Sequence, residues 1–106
     1  MISFDDFAKL EMKVGKVVSA KTVEKSEKLL QLQVDFGEEK RQVISGIAKT
    51  YSPEDLLDKS FLFVTNLEPR TIMGLESQAM ILAADDEDGP VILSPTKDVP
   101  PGTKIR

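Results

Sequence analysis

Residues 28–36 read KLLQLQVDF, and no other stretch limits its own conformation so tightly. Leu30, Leu32, Val34 and Phe36 alternate with Leu29, Gln31, Gln33 and Asp35. A two-residue period places the two sets on opposite sides of a pleated backbone, so it specifies a half-buried strand. Gly37-Glu38-Glu39 follows as a tight turn, and residues 40–47, KRQVISGI, return as the second strand of a hairpin.

A hairpin with one apolar face needs cover from the rest of the chain. Upstream, residues 12–24, MKVGKVVSAKTVE, read as a long strand. Met12, Val14, Val18 and Ala20 fit one face, Lys16 interrupts that face, and Val17 falls on the other. Gly15 is the expected cause, a bulge or sharp coil within the strand. Ser3-Phe4-Asp5-Asp6 is a helix start capped by Ser3, with Phe7 and Leu10 following on one face. Ser52-Pro53-Glu54-Asp55 is a second helix start, with Pro at the first helical position and capping-box spacing; Leu56 and Leu57 are expected to pack inward. Residues 60–67, SFLFVTNL, and 79–84, AMILAA, are apolar on both faces and read as strands covered on both sides.

Three strands, a short helix and two more strands is the element order of the OB-fold, an all-β, five-stranded Greek-key barrel. The expected barrel spans about 12–84 of a single domain covering 1–106. Residues 85–106 remain, with apolar Val91-Ile92-Leu93 and a Pro/Gly-rich stretch over 95–102. An apolar strand outside a finished barrel is a candidate dimerisation surface.

The composition narrows the chemistry. The chain has 106 residues, enough for one domain. It has no cysteine and no histidine, which removes disulfides, thiolate and His–Cys zinc sites, Ser-His-Asp triads and imidazole acid–base catalysis. The carboxylates lie mostly beside charged neighbours in turn-like contexts, so neither an enzyme nor a cofactor is expected. Net charge is −4, unevenly spread: residues 1–53 carry nine Lys/Arg against eight Asp/Glu, residues 54–106 five against ten, densest in Asp85-Asp86-Glu87-Asp88. A neutral-to-basic face can therefore coexist with an acidic far end, and affinity for RNA should be modest and fall steeply with salt. No apolar run approaches the ~20 residues of a membrane span, and the N-terminus lacks an apolar signal region. A cytoplasmic, membrane-free location is the expectation.

The blocks DDFAKLEMKVGKV, EKLLQLQVDFG, RQVISGIAKTYSPEDLL, VTNLEPR and GLESQAMILAA, in that order and spacing, resemble the tRNA-binding domain family nearly end to end. That family includes the C-terminal domain of bacterial methionyl-tRNA synthetases, a separate subunit in some archaea, stand-alone structure-specific tRNA-binding proteins, eukaryotic synthetase cofactors and a secretion-chaperone branch of the CsaA type. The resemblance implies a homodimer of OB-folds joined through the C-terminal extension, embracing the outer corner of the L-shaped tRNA and reading shape rather than anticodon. It also implies a methionyl-tRNA synthetase catalytic chain as a further partner. Pairing suits a weakly charged module, because two linked sites gain affinity through effective concentration.

Nine residues are candidate RNA contacts, each with a plainer alternative. Lys28 opens the alternating strand, either as a phosphate contact or as a solvated lysine near Glu24 and Glu27. Arg41 begins the third strand, on the face where OB-folds lay oligonucleotides, or pairs across the hairpin with a carboxylate such as Asp35. Ser45 and Gly46 offer a hydroxyl and a close backbone approach, or simply end the strand. Lys49 belongs to the same candidate set; with Thr50 it does not make a phosphate loop, because the glycines that motif needs are absent. Asn66 pairs with a base edge or serves as a satisfied structural amide. Arg70, in the loop after Pro69, is poised for phosphate or is a solvated charge beside Glu68. Ser77 and Met80 belong to the family's binding face; their alternatives are a turn serine and a core methionine. Ala79 stands where many family members carry glycine, adding a methyl group at a close approach.

With no Trp, with Phe36, Phe61 and Phe63 expected in the core, and with Tyr51 as the one plausible exposed ring, stacking is scarce. That favours recognition of folded RNA through shape and phosphates over generic single-strand binding. The competing reading is the secretion-chaperone branch, which binds unfolded polypeptides. The KLLQLQVDFG, VISGIAK and NLEPR blocks fit the tRNA-binding branch better.

Overall fold

The expected hairpin forms as read. In the computed structural model, which describes residues 1–106, β2 (Leu30–Asp35) pairs antiparallel with β3 (Lys40–Ser45), from Leu30↔Ser45 to Asp35↔Lys40. Leu30, Leu32 and Val34 are fully buried and Phe36 nearly so, while Gln31, Gln33 and Asp35 stay partly wet. The turn closes with the Phe36 N–H donating to the Glu39 carbonyl at 2.8 Å, and Gly37 takes φ +91°, where glycine carries no Cβ penalty.

β1 (Met12–Thr22) is long enough to serve two neighbours. Its first half pairs with β4 (Ser60–Val64) and its second half with β2. The bulge lies at Val18, not at Gly15: Val17 pairs with Val34 and Ser19 with Gln33, so Val18 is the unpaired extra residue and turns 37% exposed to solvent. The bulge flips side-chain parity, which lets both Val17 and Ala20 face the core. Gly15 answers a different need. A Cβ there would stand 2.5 Å from Val34 Cγ1 and 2.7 Å from Phe36 Cε1, so the glycine makes room for the packed core.

The segment between β4 and the last barrel strand is more ordered than expected. β5 (Arg70–Ile72) and β6 (Leu75–Ser77) form a hairpin around Met73-Gly74, both at positive φ (50° and 80°), and β7 (Met80–Ile81) then pairs with β4. The sheet order β3-β2-β1-β4-β7 is that of a five-stranded antiparallel OB-type barrel. Between β3 and β7 the seam is closed partly by side chains. The Gln78 N–H donates to the Gln42 carbonyl (2.8 Å), the Gln42 N–H to Gln78 Oε1 (2.9 Å), and the Ile44 N–H to Ser77 Oγ (3.0 Å). These amide and hydroxyl oxygens stand in for ladder acceptors at Gln42 and Ile44, where a neighbouring strand would otherwise supply them.

Both short helices appear where their caps predict. α1 (Phe4–Phe7) has Ser3 Oγ accepting from the Asp6 N–H at 3.1 Å; α2 (Pro53–Leu56) has Asp55 Oδ2 accepting from the Ser52 N–H at 2.8 Å. Leu56 is fully buried, but Leu57 points out, because the helix stops at Leu56 and Leu57 leaves it in an extended conformation (ψ 132°). α1 buries none of its residues: Phe4 is 78% exposed, and Phe4, Phe7 and Leu10 line an apolar groove with Met12 and Ile105.

The fifth barrel strand is shorter than the expected 79–84. Residues Ala83–Asp86 belong instead to β8, which forms an external hairpin with β9 (Gly89–Ile92), its tip carrying the acidic cluster. Ile92 returns against the core, and the Leu62 N–H donates to the Leu93 carbonyl at 3.1 Å. The end of the chain then docks on β1. The Gly102 N–H donates to the Val14 carbonyl (2.7 Å), the Val14 N–H to the Thr103 carbonyl (2.9 Å), and β10 (Lys104–Ile105) pairs with Met12 and Lys13. Val14 lies on the outer face of β1 and is buried because this segment covers it.

Candidate nucleic-acid interface

Four of the nine candidates come together. Ser45 at the end of β3, Arg70 at the start of β5, Ser77 at the end of β6 and Met80 at the start of β7 line one cleft of about 150 Å³. Arg70 lies in a strand, not in the loop expected from Pro69, so the β5–β6 hairpin sets its position. Its guanidinium makes no ion pair or hydrogen bond within the chain, and Glu68 does not pair with it. Gly46 adjoins Ser45, and a Cβ there would meet nothing within 4 Å, so the backbone is open to an approaching ligand. Lys28 and Lys49 are exposed cations outside the cleft; the Ala48 N–H donates to the Lys28 carbonyl at 3.0 Å and brings their backbones side by side.

Arg41 and Asn66 have internal partners. Arg41 Nη2 lies 2.7 Å from Glu39 Oε1, and Nη1 donates to the carbonyls of Thr65 and Gln78, with the guanidinium carbon 6.0 Å from the Phe36 ring centroid. The expected carboxylate Asp35 instead accepts from the Gly37 N–H at 2.8 Å. Arg41 thus ties β3 to the end of β4 and to residue 78. Asn66 accepts from the Glu11 N–H and donates to the Lys9 carbonyl, both at 2.7 Å, and holds the chain after α1 against the barrel. Ser77 is buried, with its hydroxyl accepting from Ile44 and donating to the Ala79 carbonyl at 3.1 Å, so it shapes the seam beneath the cleft.

Folding decides the surroundings of two further side chains. Met80 is 46% exposed, so it is a rim residue and not core. Tyr51 is half-buried against the core and its hydroxyl accepts from the Ile92 N–H at 3.2 Å; the exposed rings are Phe4 and Phe7. Leu67 and Ile72 also line the cleft, although neither carries the polar or charged group that marks the other candidates. The signal for Ile72 was present in Ile72-Met73-Gly74-Leu75, where two apolar residues flank an X-Gly pair suited to a two-residue hairpin turn.

A small polar network sits at the end of the barrel near Arg41. Glu11 Oε1 accepts from Lys13 Nζ (3.1 Å) and Thr65 Oγ1 (3.1 Å), and these partners, Lys13 foremost, hold the Glu11 carboxyl below its ordinary 4.5. A lowered folded-state pKa means stability that is present above the unfolded value and lost as pH falls below 4.5 through the folded value. Glu11→Gln should therefore flatten the acid limb of a Tm-against-pH curve below that point; an unchanged acid limb would dismiss this linkage.

The barrel and its cleft define an OB-type binding module. The family model described as "Putative tRNA binding domain" matches residues 12–104, and the chain belongs to that family. The chain is 54% identical over 106 residues to a methionine–tRNA ligase of Methanoregula boonei and 49% identical over 107 residues to that of Deinococcus radiodurans, covering all of this chain but 16% of each relative. The structure superposes on a MetRS-related protein from Pyrococcus horikoshii with TM-score 0.95 at 40% identity, covering 100% of this chain and 98% of that one. It superposes on chaperone CsaA from Bacillus anthracis with TM-score 0.91 at 32% identity, covering 100% and 99%. No helix is long and apolar enough to cross a membrane.

Proposed function

We propose that this chain is a non-catalytic, cytoplasmic tRNA-binding module that works as a homodimer, recognises the corner of folded tRNA by shape and phosphate, and serves as a domain or subunit of a methionine–tRNA ligase. The carrying observation is Arg70, an unpaired guanidinium held on a hairpin at the mouth of a cleft shared with Ser45 and Met80. Lys28 and Lys49 supply further cations, while Arg41, Asn66 and Ser77 act by positioning. The dimer reading draws support from exposed Phe4, Phe7 and Leu10, and from Val91 and Leu93 on the C-terminal extension (about 85–106).

A gel shift of bulk tRNA across a salt series, paired with sedimentation equilibrium of the free protein, tests this directly. Arg70→Ala should weaken binding about five- to tenfold at low salt and reduce the salt slope by about one, with Tm unchanged. An identical slope in the variant would remove Arg70 from the interface. Phe4→Glu should convert the dimer to monomer; a dimer that survives would move the contact elsewhere.

The likeness to chaperone CsaA, together with the apolar cleft rim and the α1 groove, favours a second reading in which the protein binds unfolded polypeptide. Salt-independent binding of a reduced, unfolded protein without any tRNA shift would select it.

A further inference from the structure

The cleft beside Arg70 carries wall chemistry that phosphate contact does not use. Buried Ile44, Ala79 and Ile81 form its floor, while Leu67 and Met80, 45% and 46% exposed, stand at its rim. A phosphate is held by cations and N–H groups and gains nothing from aliphatic walls. A nucleobase has flat apolar faces and polar edges, and the cleft offers both: aliphatic surface to lie against, and at its margin a Ser45 hydroxyl that makes no hydrogen bond within the chain. Its volume of about 150 Å³ suits a single heterocycle and is well short of the roughly 300 Å³ at which drug-sized pockets begin.

We propose that this cleft takes one unstacked nucleobase of a folded RNA, lodged against Leu67 and Met80, with Ser45 at the base edge and Arg70 on the adjoining phosphate. The assignment rests on the tRNA-binding reading above and adds to it the group that enters the cleft. Proteins that recognise folded RNA take splayed, unpaired bases onto apolar or aromatic side chains. No aromatic ring lines this cleft, since Tyr51 is spent on Ile92 and the exposed rings Phe4 and Phe7 line the separate groove beside Ile105, so aliphatic side chains do that work here. Arg70 is placed for it, because the Met73-Gly74 turn fixes the register Arg70↔Ser77 and anchors the arginine beside the seam serine.

Two measurements test the assignment. In the first, adenosine 5′-monophosphate and ribose 5-phosphate are titrated separately into protein labelled at methionine and isoleucine methyls. Adenosine 5′-monophosphate should shift the Met80, Ile44 and Ile81 methyl resonances, and ribose 5-phosphate should leave them in place. In the second, Leu67→Ala and Met80→Ala, both at exposed positions, should each weaken tRNA binding about five- to tenfold with an unchanged salt slope, unlike Arg70→Ala. Methyl resonances unmoved by the nucleotide, or rim variants that bind tRNA like the wild type, overturn the base slot while leaving the tRNA reading intact. Nucleotide-induced shifts in a protein that ignores tRNA at low salt would keep the slot and remove the function. Shifts caused by an apolar peptide but not by the nucleotide would overturn the slot in favour of a side-chain pocket.

Discussion

Arg41→Ala should lower Tm by on the order of 10 °C while leaving the salt slope of tRNA binding unchanged. The guanidinium is the common partner of Glu39 and of the carbonyls of Thr65 and Gln78, and it covers the Phe36 ring. Its side chain is only 23% exposed, so water cannot fully replace it. Hydrogen bonds to a charged donor contribute about 1.5–3 kcal/mol each, and the acceptors left behind would be partly desolvated, so a total loss of about 2–3 kcal/mol is expected. Arg41→Lys should recover only part of it, because an ammonium cannot fork across β3, β4 and residue 78 at once. Affinity for tRNA should drop indirectly, through loosening of the 77–80 wall. A variant as stable as the wild type, with a salt slope reduced by one, would return Arg41 to the set of direct contacts.

Gly102→Ala should release the end of the chain from the barrel. Gly102 has φ +88°, and a Cβ there would overlap the Phe36 carbonyl oxygen, a backbone atom that cannot swing aside. The left-handed conformation alone costs a Cβ-bearing residue about 1–2 kcal/mol, and the overlap adds to it. The bonds Gly102 N–H to Val14 and Val14 N–H to Thr103 should break together, uncovering Val14 and freeing β10. The check is amide hydrogen exchange: Val14 should lose protection while Leu32 and Val34, deep in β2, keep theirs. Gly46→Ala is the control, since its added methyl group meets nothing within 4 Å, and it should leave stability unchanged. Full protection of Val14 in the Gly102 variant would show that the tail yields without detaching.

Much of the fold was legible because it rests on local pattern. The β2 alternation, the Gly37 turn and both helix caps are decided by residues within a few positions of one another. The bulge was legible only as a conflict between Val17 and Val18; its location depended on which partner residues β2 presented. The need for glycine at 15 is not legible locally, because its constraint comes from Val34, Phe36 and Phe63, all remote in sequence. The end of the fifth strand is likewise hidden, since AMILAA carries no sign that Ala83 leaves the barrel to pair with Ile92.

The candidate site divides along the same line. Residue type and family blocks pointed to Ser45, Arg70, Ser77 and Met80, which the fold places along one cleft. They could not separate Arg70 from Arg41, because a guanidinium is free or spent according to acceptors that only folding delivers. Those acceptors lie 24 and 37 residues away for Arg41, and the partners of the Asn66 amide lie 55 and 57 residues away. What the sequence determined by itself was therefore the strand periodicity, the turns, the caps and the family, since short-range sterics and apolar patterning set them. Which polar groups remain open to a ligand was decided by tertiary structure alone, because a hydrogen bond needs two groups at contact distance and the chain brings them together only by closing the barrel.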